Sequence, residues 1–372
     1  MKSFAGLVTS PSSRFVPLAS AICAAALFAV IPTARAQHYL QTNLVSDVPG
    51  WAAATDPNLV NAWGLSRSAT SPWWVADNGT GLSTLYTGTG TVLGLVVTVP
   101  AAMAPAAPTG TAFNATTDFP VAPGKPARFL FVTEEGTISG WNPTVDGTHA
   151  ITVVDHSGWA IYKGMALGLR GTANFLYAAN FHGGTVEVYD GNFQPVNLGA
   201  NAFRDWRLPK GYAPFNVQNI NGNIAVAFAQ QDADKMDEVP GPGKGYVDIF
   251  NTDGVLLLRL EHGRYFNAPW GLVQAPAGFG KFSGMLLVGQ FGSGKIAAFE
   301  PAHGHFRGFL RAQHGKPLMI DGLWALSFGN GAGAGPATTL YFSAGPADES
   351  HGLFGSVTAI VDTEPDHDGD DD

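Results

Sequence analysis

Short apolar runs separated by glycine- and proline-rich turns are the dominant pattern of this chain. The clearest example is Asn267–Phe299, which opens with NAPWGL, passes through a Gly-rich turn to MLLVGQF, and turns again into KIAAF. Apolar runs of about four to eight residues bounded by glycine and proline are typical of β-strands, and their close spacing favours an antiparallel meander. The stretch therefore predicts one small sheet.

The same pattern recurs along the chain. Its copies begin near residues 61, 110, 163, 213, 267 and 321, and the copy that begins near 110 is the weakest. An interval of roughly 50 residues is typical of four-stranded propeller blades. The chain is therefore predicted to be an all-β, six-bladed β-propeller with four-stranded antiparallel blades.

The segment before the first copy, Gln37–Val45, also alternates apolar and polar residues. In a ring of blades, such an N-terminal strand completes the last blade and removes an exposed sheet edge. We predict that it pairs with Ser356–Val361 and closes the ring. The alternative is a flexible leader.

Both ends of the chain differ from the repeats. Leu18–Ile31 is apolar and is followed by an A-x-A site, which predicts a signal peptide over residues 1–36 with cleavage after Ala36. The apolar run is too short to span a membrane, and no later segment is a candidate. We therefore expect a secreted or periplasmic protein with a propeller over 37–361 and a disordered acidic tail over 362–372.

The amino-acid composition argues against several classes of protein. With 45% hydrophobic residues in bounded runs, 47 glycines and 25 prolines, the chain favours short buried strands over disorder. Cys23, the only cysteine, lies inside the predicted signal, which excludes disulfides and a cysteine nucleophile from the mature protein. The formal net charge of −9 argues against nucleic acid as a partner. We expect a monomer that binds a small molecule, a glycan or an envelope protein.

The opening segment of each copy is predicted to form the innermost strand of its blade. Small residues suit the crowded centre, and Trp63, Trp270 and Trp324 are expected to fill the gaps between blades. The loops before the first strands and after the second strands would emerge on one face, where Lys163, Asn78, Glu135 and Glu349 also lie. The ligand-binding candidates on this face are Asn61, Asp77, Glu134, Asn180, Gln230 and Gln290.

An insertion over Gln231–Gly245 replaces a short turn in the fourth copy. A loop longer than about 12 residues in a compact domain is usually functional or disordered. If the insertion folds over the channel mouth, Lys235 and Asp232 would reach a bound molecule. The alternative is a solvated excursion.

Catalytic signatures are sparse. The sequence has no G-x-S-x-G elbow, H-E-x-x-H motif, P-loop or dinucleotide fingerprint. His182 and His351 occupy similar second-loop positions in the third and sixth copies, so they are candidates for an acid and base or for metal ligation. A surface histidine in a Gly-rich turn is the alternative, and whether the protein is an enzyme stays open.

The triplet Asp321-Gly322-Leu323, directly before an inner strand, resembles the metal-binding segments of gluconolactonase and regucalcin-like six-bladed lactonases. That resemblance implies a divalent cation, Ca²⁺ or another, near the channel axis, with Asn61, Asn216, Asn267 and Asp321 as ligands. Such a cation would polarise an ester or lactone carbonyl. Asn and Asp before a strand also serve as turn formers that bond their own backbone. This chain has no acidic residue opening the first blade, where those enzymes use a Glu ligand.

Over essentially the whole mature chain, the phrases NAWGLSRS, SPWWVADNGTG, NAPWGL and DGLWALSFGNG resemble an uncharacterised family of secreted bacterial proteins, some with a C-terminal envelope-sorting signal. The resemblance implies a six-bladed propeller related to the NHL-repeat and lactonase-like groups. Two functions follow as expectations: ligand binding at the polar channel face without catalysis, or cation-dependent hydrolysis of a lactone or ester. A third is an extracellular scaffold.

Overall fold

The computed structural model of the chain describes residues 38–101 and 105–360. The predicted signal peptide (1–36) and the predicted acidic tail (362–372) lie outside these described residues, so both stay predictions. Within the described part of the chain, no helix is long and apolar enough to cross a membrane.

The described strands form seven sheets, of which six are numbered here as blades 1 to 6 in chain order and the seventh is a two-stranded hairpin. Before blade 1 come β1 (His38–Ser46) and β2 (Ala54–Thr55). Blade 1 contains β3 (Ala62–Ser66), β4 (Trp73–Asp77), β5 (Leu82–Tyr86) and β6 (Val97–Thr98). Blade 2 contains β7 (Pro108–Phe113), β10 (Phe129–Thr133), β11 (Thr137–Trp141) and β12 (Ile151–Asp155), with a hairpin of β8 (Pro120–Ala122) and β9 (Lys125–Pro126) inserted after β7.

The remaining blades follow the same order. Blade 3 contains β13 (Tyr162–Arg170), β14 (Ala173–Asn180) and β15 (Thr185–Asp190). Blade 4 contains β16 (Tyr212–Ile220), β17 (Asn223–Gln230), β18 (Tyr246–Phe250) and β19 (Leu256–Arg259). Blade 5 contains β20 (Pro269–Gln274), β21 (Leu286–Gln290), β22 (Ile296–Phe299) and β23 (Phe306–Phe309), and blade 6 contains β24 (Leu323–Phe328), β25 (Leu340–Ala344) and β26 (Leu353–Ile360). Short 3-10 helices span Gly280–Phe282, Phe291–Ser293 and Gln313–Gly315.

The first strand of each blade packs against the first strands of both neighbouring blades. These contacts run from β3 to β7, β13, β16, β20, β24 and back to β3, which makes a closed ring of six inner strands. The predicted six-bladed propeller, with each opening segment innermost, is confirmed.

The N-terminal strand closes the ring as predicted. Strand β1 pairs antiparallel with β26, from His38 opposite Ile360 to Ser46 opposite Leu353, with one bulge between Asn43 and Val45. It therefore supplies the fourth strand of blade 6 and removes the free edge of β26.

Blade 3 departs from the four-stranded prediction. After β15 the chain makes only an isolated bridge between Tyr189 and Pro195. Two backbone hydrogen bonds flank this bridge, from Asp190 N to Gln194 O at 2.9 Å and from Val196 N to Val188 O at 2.7 Å, and among the described residues no fourth strand follows. The position of the missing strand is a cleft of about 630 Å³ on the outer side of the blade, lined by β15 and the segment that follows it.

The three tryptophans of the opening segments do not fill gaps between blades. They meet at the centre of the ring, with ring centroids 3.6 Å apart for Trp63 and Trp324 and 5.8 Å apart for Trp270 and Trp324. An inner strand has no sheet inside it, so its inward side chains can bury themselves only against those of the other blades. Phe215 and Phe291 also pack on Trp324, which completes an aromatic plug.

The plug leaves little open channel. A cavity of about 20 Å³ among the inner strands is lined by residues from all six blades, including Gly64, Thr111, Met165, Gln218, Leu272 and Ala325. That is room for about one water molecule. This cavity is therefore too small for an organic ligand.

Candidate functional site

Asn61 is the centre of a polar network at one mouth of the channel. Its Nδ2 donates to Glu349 Oε2 at 2.6 Å and to Asn78 Oδ1 at 3.2 Å, and its Oδ1 accepts from Trp324 Nε1 at 3.1 Å. The residue precedes β3, whereas Asn78 follows β4 and Glu349 follows β25. The prediction that loops of these two kinds share one face is confirmed.

The network continues through Glu134 to a buried lysine. Asn78 Nδ2 donates to Glu134 Oε2 at 2.9 Å, while Lys163 Nζ donates to Glu134 Oε1 and, at 2.9 Å, to Asp237 Oδ1. Lys163 is only 1% exposed, and its ammonium lies 5.2 Å from the ring centroid of Trp63 in the plug. The polar network therefore packs directly against the aromatic plug through Lys163.

The insertion of blade 4 lies over this mouth. Asn267 Oδ1 accepts from Gly241 N at 2.5 Å, and Lys244 bridges Asn267, so the end of the insertion is held by blade 5. Its middle reaches the network through Asp237. The insertion therefore folds over the channel mouth and is not a solvated excursion.

Lys235 and Asp232 have contacts of their own outside the network, and their contact with a bound molecule stays a prediction. Asp232 Oδ1 accepts from Met236 N at 2.9 Å, which closes a turn inside the insertion. Lys235 has a positive φ of 61°, and its carbonyl faces His182 Nδ1 at 3.3 Å.

The channel mouth contains more acidic than basic side chains. Burial, together with Glu349 and Asp237 nearby, raises the pKa of Glu238 to about 8 although Lys163 opposes the shift. Burial, with Glu134 and Asp237 nearby, raises the pKa of Glu349 as well. Burial by itself lowers the pKa of Lys163, but the surrounding carboxylates outweigh burial and the pKa is raised. One ammonium is thus shared among several carboxyl groups.

A cleft of about 650 Å³ opens beside the network, between the segment that joins blades 2 and 3 and the insertion of blade 4. We call it the mouth cleft. Two exposed apolar side chains line it, Trp159 at 81% and Met236 at 53% exposure. Its other lining residues are Ala107, Glu134, Glu135, Ser157, Gly158, Ala160, Ile161, His182, Asp234 and Asp237.

Glu135 lines this cleft and has one unsatisfied acceptor. Its Oε1 accepts from Ala107 N at 2.9 Å, which fixes the carboxylate, whereas its Oε2 has no hydrogen-bond donor. A buried carboxylate oxygen without a donor is costly. The oxygen is itself enclosed by protein atoms, so Glu135 adds a negative charge to the wall of the cleft and does not present this oxygen to a ligand.

Of the six predicted ligand-binding residues, Asn61 and Glu134 belong to the network, and the other four lie elsewhere. Asp77 is fully buried, and its Oδ2 accepts from Thr84 N at 2.9 Å. Asn180 caps a turn of blade 3, with its Oδ1 2.8 Å from Gly183 N. Both side chains bond within their own blade.

The two glutamines also have local roles. Gln290 is fully buried, and its Oε1 accepts from Asn267 N at 2.9 Å. Gln230 supports the insertion through its backbone, because its carbonyl accepts from Val239 N at 2.8 Å. Neither side chain lines the mouth cleft.

The four predicted metal ligands each already accept a hydrogen bond from the protein. Asn216 Oδ1 accepts from its neighbour Val217 N, and Asp321 Oδ2 accepts from Ala347 N at 3.0 Å. As described above, Asn61 Oδ1 accepts from Trp324 and Asn267 Oδ1 from Gly241. This bonding suits the turn-former alternative. The divalent cation stays a prediction from the sequence.

The two predicted histidines are in different surroundings. His182 lines the mouth cleft. His351 Nδ1 lies 2.8 Å from Asp47 Oδ2, and its ring packs edge-on against Trp51. His351 is therefore part of the ring closure at blade 6, and an acid–base pairing of the two histidines stays a prediction.

Sequence reasoning missed Trp159, Met236, Asp237 and Glu238. A signal was present, because Trp159 and Met236 are large apolar residues inside polar, Gly- or Asp-rich loops, in HSGWA and DKMDE. Strand patterning cannot find such residues, since they lie outside any strand.

Comparisons with solved structures show the same fold. Virginiamycin B lyase from Staphylococcus aureus aligns with a TM-score of 0.51 at 12% identity, over 87% of this chain and 99% of that one. A chain of the COPII outer coat vertex on membranes aligns with a TM-score of 0.51 at 11% identity, over 83% and 72% of the two chains. At these identities the likeness shows the fold alone.

Sequence comparisons find viral relatives. No known protein-family model matches the chain. The uncharacterized protein L690 of Acanthamoeba polyphaga mimivirus is 31% identical over 332 residues, 84% of each chain. The uncharacterized protein R648 of the same virus is 31% identical over 329 residues, 84% of this chain and 78% of the relative. Bacterial origin and secretion, implied by the resemblance noted from the sequence, stay predictions. The chain belongs to the same family as these two mimivirus proteins.

Proposed function

We propose that the protein binds a small organic ligand in the mouth cleft. The observation that carries the proposal is that Glu134 and His182, both singled out from the sequence, meet the insertion and two exposed apolar side chains around one cavity of about 650 Å³. Cavities of about 300–1,000 Å³ with apolar walls and a few polar groups are typical ligand sites.

Two carboxylates on the polar side of the cleft are already bonded by the protein. Glu134 is held by Lys163 and Asn78, and Asp237 is held by Lys163, so neither carboxylate has to be ordered when a ligand arrives. A site that is ordered beforehand loses less conformational entropy on binding. This favours recognition of a ligand with defined polar groups.

The apolar side of the cleft is exposed to solvent. Trp159 is 81% exposed and Met236 is 53% exposed, in a chain whose other tryptophans at the channel are buried. Covering an indole and a thioether would remove apolar surface from water, at about 25 cal/mol per Å². Trp159 and Met236 are therefore expected to supply most of the affinity.

Ligand-observed NMR with a fragment library that includes amines, carboxylic acids and monosaccharides tests the proposal. We expect hits that bind the native protein and are lost on the double substitution Trp159→Ala, Met236→Ala. Trp206→Ala is the matched control, because Trp206 is 74% exposed but lies outside the cleft. Hits that survive the double substitution, or a library without any hit, would contradict the proposal.

Cation-dependent hydrolysis of a lactone or ester stays the alternative expected from the sequence. A metal analysis of the purified protein and a lactone and aryl-ester panel, with and without CaCl₂, test it. Turnover that needs calcium and is lost in Asp321→Ala would support that alternative.

A further inference from the structure

The charges around the mouth cleft are one-sided. Four carboxylates line it, from Glu134, Glu135, Asp234 and Asp237, while no lysine or arginine is among its lining residues within the described part of the chain. A cavity lined by one sign of charge raises the local concentration of ligands of the opposite sign. The imbalance therefore bears on the class of ligand.

The nearest ammonium does not neutralise these acids. Lys163 lies behind the cleft and donates to both Glu134 and Asp237, so a single positive charge is divided between two carboxylates. Glu135 is bonded only by the backbone N–H of Ala107, and Asp234 is exposed on the insertion. These two carboxylates therefore line the cleft without a cationic side chain bonded to them.

The pKa values of two neighbouring acidic residues, Glu238 and Glu349, reflect the same excess of negative charge. After burial, the proximity of other carboxylates contributes to the raised pKa of Glu238 and of Glu349. A positive charge brought to the mouth would ease both of these repulsions.

Trp159 and Met236 distinguish an organic cation from a metal ion. The face of an indole attracts ammonium groups, and a thioether packs well on alkyl and aromatic groups. A hydrated divalent ion would use neither surface, and in residues 38–101 and 105–360 no three His, Cys, Asp or Glu side chains are placed to share a metal. The combination of acids with exposed apolar surface favours a ligand that has both properties.

We infer that the ligand of the mouth cleft is an organic cation, an amine or quaternary ammonium carrying an apolar group. The inference rests on the proposed function, because it assigns a chemical class to the same site. In this arrangement the ammonium lies among Glu135, Asp234 and Asp237, and the apolar group contacts Trp159 and Met236.

Three probes with one phenyl ring test the class of ligand: benzyltrimethylammonium, benzyl alcohol and benzoate, each titrated into the full chain by calorimetry at pH 8. We expect the ammonium to bind at least about fivefold more tightly than the alcohol, and benzoate to bind most weakly. Raising NaCl from 50 to 500 mM should weaken the ammonium and leave the alcohol unchanged.

Two conservative variants localise the effect. Glu135→Gln keeps the shape of the side chain and should reduce ammonium affinity about fivefold with little effect on the alcohol. Glu300→Gln is the control, because Glu300 also accepts a backbone N–H, from Ala302 at 2.6 Å, but lies outside the cleft. A thermal melt of each variant verifies that it is folded.

The outcomes separate the inference from the proposed function. If the alcohol or benzoate binds as tightly as the ammonium and depends on Trp159, the cleft binds ligands but the cation class is wrong. If no probe or fragment depends on Trp159, the proposed function itself fails. Stoichiometric CaCl₂ binding that Glu135→Gln removes would replace the organic cation with a divalent one.

Discussion

Replacing Lys163 by methionine should destabilise the protein more than any other single change at the mouth. The side chain is 1% exposed, and its ammonium is the shared donor of Glu134 and Asp237. Methionine keeps an apolar stem of similar length against Trp63, so the change removes the charge while it retains most of the packing.

The expected magnitude follows from the exposure of the two partners. Removing one member of a fully buried ion pair costs about 3–5 kcal/mol, because the other charge is left uncompensated. Here Asp237 is 70% exposed and can be hydrated, whereas Glu134 is 27% exposed. We therefore expect a loss of about 2–3 kcal/mol in the free energy of unfolding at pH 7.

Urea denaturation followed by tryptophan fluorescence and by far-UV circular dichroism measures this loss. Lys210→Met is the matched control, because Lys210 is exposed, and it should change the free energy by less than about 0.5 kcal/mol. Adding Glu134→Gln to Lys163→Met should recover part of the loss, since the stranded carboxylate is then absent. Equal effects of Lys163→Met and Lys210→Met would refute the reasoning.

Three further predictions concern the pH dependence and the closure of the ring. Because the folded-state pKa of Glu238 is raised to about 8, the folded protein holds a proton that the unfolded chain releases above about pH 4.5, and stability falls as the pH rises between these values. Glu238→Gln should remove this fall, so that at pH 9 the variant is more stable than the native protein by about 1–2 kcal/mol in urea denaturation. Burial, and then the charge of Asp56, raise the pKa of Asp77 well above its usual value, so Asp77→Asn should likewise reduce the loss of stability at alkaline pH, seen as a smaller drop in melting temperature between pH 6 and pH 9. A wild-type pH profile in either variant would contradict the assignment. Deleting residues 38–46 should expose the edge of β26, lower the melting temperature and produce aggregates in size-exclusion chromatography, whereas an unchanged melt would show that the ring does not need this strand.

Local patterns accounted for most of the fold. The apolar runs and Gly-rich turns recur at a regular interval, and neighbouring strands pair with each other, so the number of blades and their inner strands follow from contacts close in sequence. Two features departed from the pattern. Blade 3 has three strands in the described residues, and the inward direction of Trp63, Trp270 and Trp324 depends on the closed ring.

The candidate site was only partly predictable. The side of the propeller on which Asn61, Glu134 and His182 lie follows from strand order, because alternate loops emerge on the same face. Asp77, Asn180 and Gln290 obey the same rule, yet they bond within their own blades. Sequence position does not tell a turn-forming side chain from one that faces the mouth, since both are polar and both end a strand.

By itself, the sequence determined the repeat, the all-β class, the closing strand and the polar face, because each depends on hydrogen bonding and burial between adjacent segments. The tertiary structure alone decided that Lys163 meets Asp237, that Asn61 meets Glu349, and that Trp159 and Met236 line one cleft. These pairs come from different blades, and loops of equal polarity become distinct only when the ring brings particular side chains within hydrogen-bonding distance across the channel.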